Sequence, residues 1–268
     1  RFLEILKGID KEKAVKFLSK YSFLNEELID RFESEWDWKR LSRNETLPWS
    51  IELIERYKNK WDWWGLSNEA LPWSLELIEQ FKSKWCWREL SSNEALPWSL
   101  ELIERFRGEW HWNYLSSNEA LPWSLAFFER FEGKWDWRDL SSNEALPWSI
   151  VFFERFVDKW DWLGLSINKA LPWSLELLER FKDKWWWDFL SYEEVLPWPW
   201  SLSLLERFED EWNWYALSGK EALPWSLALF ERFEDKWDWL SLSINKTFAK
   251  LSPQDVDEVM SHHFYPQN

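Results

Sequence analysis

The chain has 268 residues, a formal net charge of −15 and 29 tryptophans. So acidic a balance leaves no basic face for phosphate, which excludes nucleic acid as an expected partner, and no apolar run approaches the length of a membrane span. Cys86 is the only cysteine, which excludes a disulfide framework and a thiolate metal site.

In chain order, Phe2, Leu3, Leu6, Ile9, Val15, Phe17 and Leu18 predict one or two helices over residues 1–21, covering the end of an array. No signal-peptide pattern is visible, and a start at Arg1 without Met is compatible with a leader removed or omitted. From residue 22 a cassette begins and recurs to residue 246. Its first copy is degenerate: Ser22-Phe23-Leu24-Asn25 stands for Leu-Pro-Trp-Ser, with Asn25 at the helix cap and Leu28, Ile29 and Phe32 behind it. A terminal unit with one face in solvent is expected to drift in this way.

The clearest copy runs Leu96-Pro97-Trp98-Ser99-Leu100-Glu101-Leu102-Ile103-Glu104-Arg105-Phe106 and closes on Trp110-His111-Trp112. Trp-X-Trp pairs start at Trp36, Trp61, Trp85, Trp110, Trp135, Trp160, Trp185, Trp212 and Trp237, a step of 25 broken once by 24 and once by 27. The short step is one residue missing between Ser67 and Asn68. The long step is a local duplication after Leu196-Pro197-Trp198 that ends at Trp200. A fixed period of this size marks a solenoid or array.

Within the cassette Ser99 can cap the free amides of a first turn, and Glu101 complements the helix dipole. Leu102, Ile103, Phe106 and Trp110 then make one apolar stripe of helical period. This predicts a long first helix of about 11 residues. The middle residue of the tryptophan pair is Asp37, Asp62, Asp136, Asp161, Asn213 or Asp238 in six of nine copies, a second capping signal. Trp112 and Leu115 follow at helical spacing, so a short second helix of one to two turns is predicted, and Ser116 to Ala120 as a further turn. Nothing alternates with a period of two. The expected fold is all-α, an elongated helical-repeat solenoid with one long and one short helix per repeat of about 25 residues. After Trp239 the pattern fades, and Ser252-Pro253-Gln254-Asp255 opens a C-terminal capping helix and tail over 247–268.

The repeat resembles the Trp-rich tandem repeats of W-x-W-x-x-L-S-x-N type found in bacterial and giant-virus proteins; Trp135, Trp137, Leu140, Ser141 and Asn143 match that core. The resemblance covers roughly residues 22–246. It implies an architecture and brings no catalytic residues with it.

Comparing the copies with one another separates scaffold from surface. Glu104 and Arg105 have equivalents in every full copy, with Gln80 once in place of Arg. A catalytic carboxylate pair would need one copy to differ from the rest, so these residues read as a ladder between neighbours, and no enzyme activity is predicted. His262 and His263 are adjacent and point to different sides of a helix, and His111 stands far away in sequence, so neither metal nor cofactor is expected. Positions after the second tryptophan vary freely. Five of them are exposed-aromatic candidates for a partner surface: Trp64, Tyr114, Phe189, Tyr192 and Tyr215. The expected function is a non-catalytic scaffold presenting an extended surface to protein partners or to copies of itself. The alternative is a carbohydrate-binding protein, in which regularly spaced indole faces stack on sugar rings. That alternative requires the repeated indoles to be open to solvent.

Overall fold

The computed structural model describes residues 2–192, 200–248 and 252–264. Among them every regular element is helical, 21 α-helices and two short 3-10 turns, with no strand. The chain divides into two compact units, Arg1–Lys159 and Trp160–Asn268. Each is an all-α repeat solenoid with two helices per cassette, as the period predicts.

The Trp110 cassette shows why these residues fold as they do. Ser99 Oγ accepts from the Leu102 N–H at 3.1 Å and opens the first helix, Leu100–Arg105. The equivalent serine caps the first helix of each of the eight full cassettes, and Asn25 does the same in the degenerate copy. Upstream, the Trp98 N–H donates to the Leu96 carbonyl at 2.7 Å. This is a three-residue turn centred on Pro97, whose ring presets the φ such a turn needs.

The expectation of an 11-residue first helix is corrected. Six residues are α-helical, then Phe106 leaves the helix at φ −114°, ψ 26°, and a hydrogen-bonded turn carries the chain on to Glu109. The reason is a competition for one carbonyl. The Arg107 N–H bonds to Glu104 at 3.3 Å, and the Ile103 carbonyl is taken by the Trp110 indole N–H at 3.1 Å. A buried carbonyl must find a donor, and an indole supplies one while bringing about 200 Å² of apolar surface with it. Trp36, Trp61, Trp85 and Trp135 make the same bond in the first unit, and Trp237 makes it in the second.

The second helix follows as predicted, for example Trp112–Ser117 and Trp137–Ser142. Five of the six predicted Asp or Asn caps accept a first-turn amide: Asp37, Asp136, Asp161, Asn213 and Asp238. Asp62 does not. Its carboxylate instead stands 3.7 Å from Arg43, and its helix, Trp63–Leu66, is only four residues long. The 24-residue step falls in this cassette, after the helix, between Ser67 and Asn68.

Three devices join successive cassettes within each unit. The first is an aromatic spine. The second tryptophan of one pair meets the first tryptophan of the next edge to face, as in Trp87–Trp110 at 4.9 Å and Trp187–Trp212 at 4.8 Å. The Leu-Pro-Trp indole closes on the same ring, as Trp98 does at 5.1 Å. Each such pair contributes about 0.5–1.5 kcal/mol beyond its burial. Eight of the nine leading tryptophans are buried, at 4–5 % exposure. Trp239, which no cassette follows, is 66 % exposed. Trp200 fills the Leu-Pro-Trp position against Trp212, at 5.1 Å; Leu196-Pro197-Trp198 and the tail beyond Phe264 lie outside the described residues.

The second device is a buried polar ladder. Ser116 Oγ donates to Trp112 O at 2.7 Å and accepts the Asp136 N–H of the next cassette at 2.9 Å. Asn143 then reaches back to Ser116 O at 2.9 Å, while its Oδ1 caps the Ala145 amide. Ser91, Ser116, Ser166, Ser191 and Ser218 are all fully buried. A hidden polar group persists only when bonded, so the ladder sets register between neighbours. It reaches into the N-terminal helix Lys11–Tyr21, where Ser19 accepts the Asp37 N–H and offers its carbonyl to Asn44. Leu18-Ser19 is thus a half-cassette.

The third device is the predicted carboxylate–guanidinium ladder, with Arg105 on Glu79 at 2.8 Å and Arg232 on Glu206 at 2.9 Å. Where the 27-residue step intervenes, Arg207 still pairs with Glu179. The C-terminal helix Pro253–Phe264 starts on its proline as predicted, and none of its residues is buried.

Candidate partner-binding face

The five predicted aromatics all sit on second helices, outside the spine, and the structure distributes them between the two units. Trp64 and Tyr114 belong to the first; Phe189, Tyr192 and Tyr215 belong to the second. Trp64 is 52 % exposed, Tyr192 54 % and Tyr215 57 %, whereas Phe189 is only just exposed and Tyr114 is half-buried.

In the first unit the two rings carry a cation from the preceding cassette. The Arg43 guanidinium lies 4.3 Å from the Trp64 ring centre, and that of Arg88 lies 4.9 Å from Tyr114. Gly65 makes the first stack feasible, because a Cβ at that position would stand 2.9 Å from the Arg43 side chain. The neighbouring positions are charged as well. Asp139 titrates above the usual carboxylate range, through partial burial and the repulsion of Asp136.

In the second unit Phe189 sits edge-on to Trp186 at 6.3 Å, and Trp186 is itself half exposed. Tyr192 and Tyr215 converge with Gly219, Glu221 and Ile244 around a cleft of about 530 Å³. Gly219 leaves it open, since a Cβ there would meet nothing within 4 Å. Lys220 occupies the ladder position that is Asn in seven of the nine copies. It is buried, donating to Tyr192 O at 3.3 Å and lying 5.2 Å from the Trp200 ring centre.

Sequence reasoning missed Arg43, Arg88, Gly219 and Lys220 as parts of this face. The readable signal was the register: each arginine stands one cassette upstream of the ring it covers. It also read the Ser-x-Asn segment only as a turn, although a serine and an asparagine repeated together in seven of nine copies are the mark of an interface. Among the described residues no helix is long and apolar enough to cross a membrane. Compared with known proteins, the chain matches no family model, no curated protein and no solved structure.

Proposed function

We propose that this chain is a non-catalytic repeat scaffold whose second-helix face docks protein partners. One observation carries the reading. The residues repeated from cassette to cassette are engaged with neighbouring cassettes, while Trp64, Tyr114, Phe189, Tyr192 and Tyr215 are left outside the spine on second helices. The repeated carboxylates and guanidiniums face each other across the ladder, which supports a structural use for groups that an enzyme would otherwise offer as acid and base. Exposed aromatics of few rotamers are the usual anchors of protein interfaces. The likeness to Trp-rich repeats of bacterial and giant-virus proteins agrees with a scaffold.

The test is a comparative pull-down from the native source with the wild-type chain and with Tyr192→Ser/Tyr215→Ser. Partners that bind the first and are lost with the second support the reading; partners retained undiminished by both overturn it. Binding to copies of itself is the variant that light scattering over a concentration range decides, and a monodisperse monomer throughout removes it. A carbohydrate role needs open indoles at repeat spacing. Among the described residues the open ones, Trp64, Trp186 and Trp239, occupy three different cassette positions, and tryptophan emission indifferent to added oligosaccharides would dispose of that role.

A further inference from the structure

The first unit shows what its exposed rings accept. Trp64 and Tyr114 each hold a guanidinium from the cassette before, at 4.3 and 4.9 Å. Arg88 supplies the second from the position just after Trp87. In the second unit the residue just after Trp187 is Asp188. Its carboxylate accepts from Asn213 Nδ2 at 2.7 Å, which places it at the start of the helix that carries Tyr215. A negative charge therefore stands where the first unit puts a positive one, and the residue in register with Tyr114 is Ala216, which lines the cleft beside Tyr215. Among the described residues no cation lies over Tyr192 or Tyr215, although both rings are more than half exposed and wall the same cleft.

We propose that this cleft takes an arginine side chain from a basic peptide segment of a partner. The inference rests on the scaffold reading and names the chemistry of the partner that would dock there. A planar guanidinium can lie on a tyrosine face while its fork of donors meets a carboxylate. The cleft holds Glu221 for that purpose. Glu221 now faces the largely exposed Lys246 ammonium at 3.3 Å, a surface pair that a two-pronged contact would displace. Lys220, the one cation in the lining among the described residues, is buried against the Tyr192 carbonyl and the Trp200 ring. Acidic residues also outnumber basic ones over 160–268, so a basic segment is drawn to this surface.

The experiment uses the full chain with ring-labelled tyrosine, observed by NMR. The probe is acetyl-Gly-Arg-Gly-Arg-Gly-amide, beside its citrulline counterpart, which keeps the shape and loses the charge. The Tyr192 and Tyr215 ring signals shift with the arginine peptide, and the citrulline peptide binds about fivefold more weakly, the ratio expected for one cation–π contact. Asp188→Arg installs internally the cation that the first unit already has. It weakens the arginine peptide by about fivefold without lowering the melting temperature. Arg88→Leu does the reverse, and adds Tyr114 to the rings that respond. Equal binding of both peptides overturns the inference and leaves a partner face that does not select charge. Absence of any shift, or shifts indifferent to Asp188→Arg, also overturns it. A failed native pull-down beside a selective arginine response would instead overturn the scaffold reading and keep the arginine cleft.

Discussion

The two units share a spine and differ on their second helices. In Arg1–Lys159 the rings of Trp64 and Tyr114 are covered by arginines of the same chain; in Trp160–Asn268 no cation among the described residues lies over Tyr192 or Tyr215, which border a cleft. The cassette code that builds the interior is largely shared, with exceptions such as Tyr57 and Lys220, so the difference in recognition lies mainly in positions released from packing. A repeat protein can thus keep one architecture and vary its recognition chemistry unit by unit, because substitutions on the outer face do not disturb the stacking beneath.

The largest expected effect breaks the spine, which both units need. Trp110→Ala should cost about 3–5 kcal/mol in denaturant unfolding, whereas Trp64→Ala and Trp186→Ala, on the exposed faces, should stay within about 0.5 kcal/mol. Comparable losses at Trp64 and Trp110 would refute the division between mortar and surface. A subtler pair sharpens the comparison. Trp110→Phe orphans the Ile103 carbonyl, while Trp212 Nε1 is buried without a hydrogen-bond partner. The first substitution should therefore exceed the second by roughly 1–3 kcal/mol, the cost of an unsatisfied buried acceptor.

Next comes the polar ladder, where Ser116→Ala and Asn143→Leu should each destabilise by about 1–3 kcal/mol. Combined, they should cost less than their sum, because both tie the Ser116 turn to the following cassette. Strict additivity in a double-mutant cycle would deny that link.

A pH dependence separates the units as well. Tyr57 fills a spine position that is Phe181, Phe208 or Phe233 in the second unit. Burial first, then its hydrogen bond to Asp30, pushes its hydroxyl up to about 12. The folded state therefore holds that proton more tightly than the unfolded chain. The stability involved is fully present below the ordinary tyrosine value of about 10 and is lost as pH rises through about 12. Asp30 runs the other way. The Tyr57 hydroxyl, followed by Arg56, holds its carboxyl below the ordinary range, so its contribution is present above the unfolded value of about 4 and disappears as the solution is acidified through the lower folded one. Tyr57→Phe should flatten the alkaline limb of a melting-temperature profile and shrink the acid one. Unchanged limbs would show that the pair does not couple to folding. The smallest effect is at the exposed ladder, where Arg105→Ala should cost no more than about 1 kcal/mol, and salt should erase it.

The period, the serine caps and the apolar stripe were legible because each is a local rule written many times over. Nine copies of Trp-X-Trp averaged out the noise that hides such signals in a single helix. The site was legible only as a set of positions: comparison of the copies picked out Trp64, Tyr114, Phe189, Tyr192 and Tyr215, yet it did not distinguish rings covered by Arg43 and Arg88 from rings left open. The first-helix length was misread because Phe106 and Trp110 satisfy a helical period as well in a turn as in a helix, and period alone does not say which carbonyl an indole will cap.

By itself the sequence determined an all-α repeat, its period and its serine caps, since propensity, capping and hydrophobic period act over a few residues. Only the tertiary structure decided that Ser116 and Asn143 lock neighbouring cassettes, that Ser19 extends their ladder into the N-terminal helix, and that Tyr192 and Tyr215 share a cleft. Those pairings join residues 18 to 27 positions apart, and the direction a side chain takes across such a gap depends on how one cassette is rotated on the next.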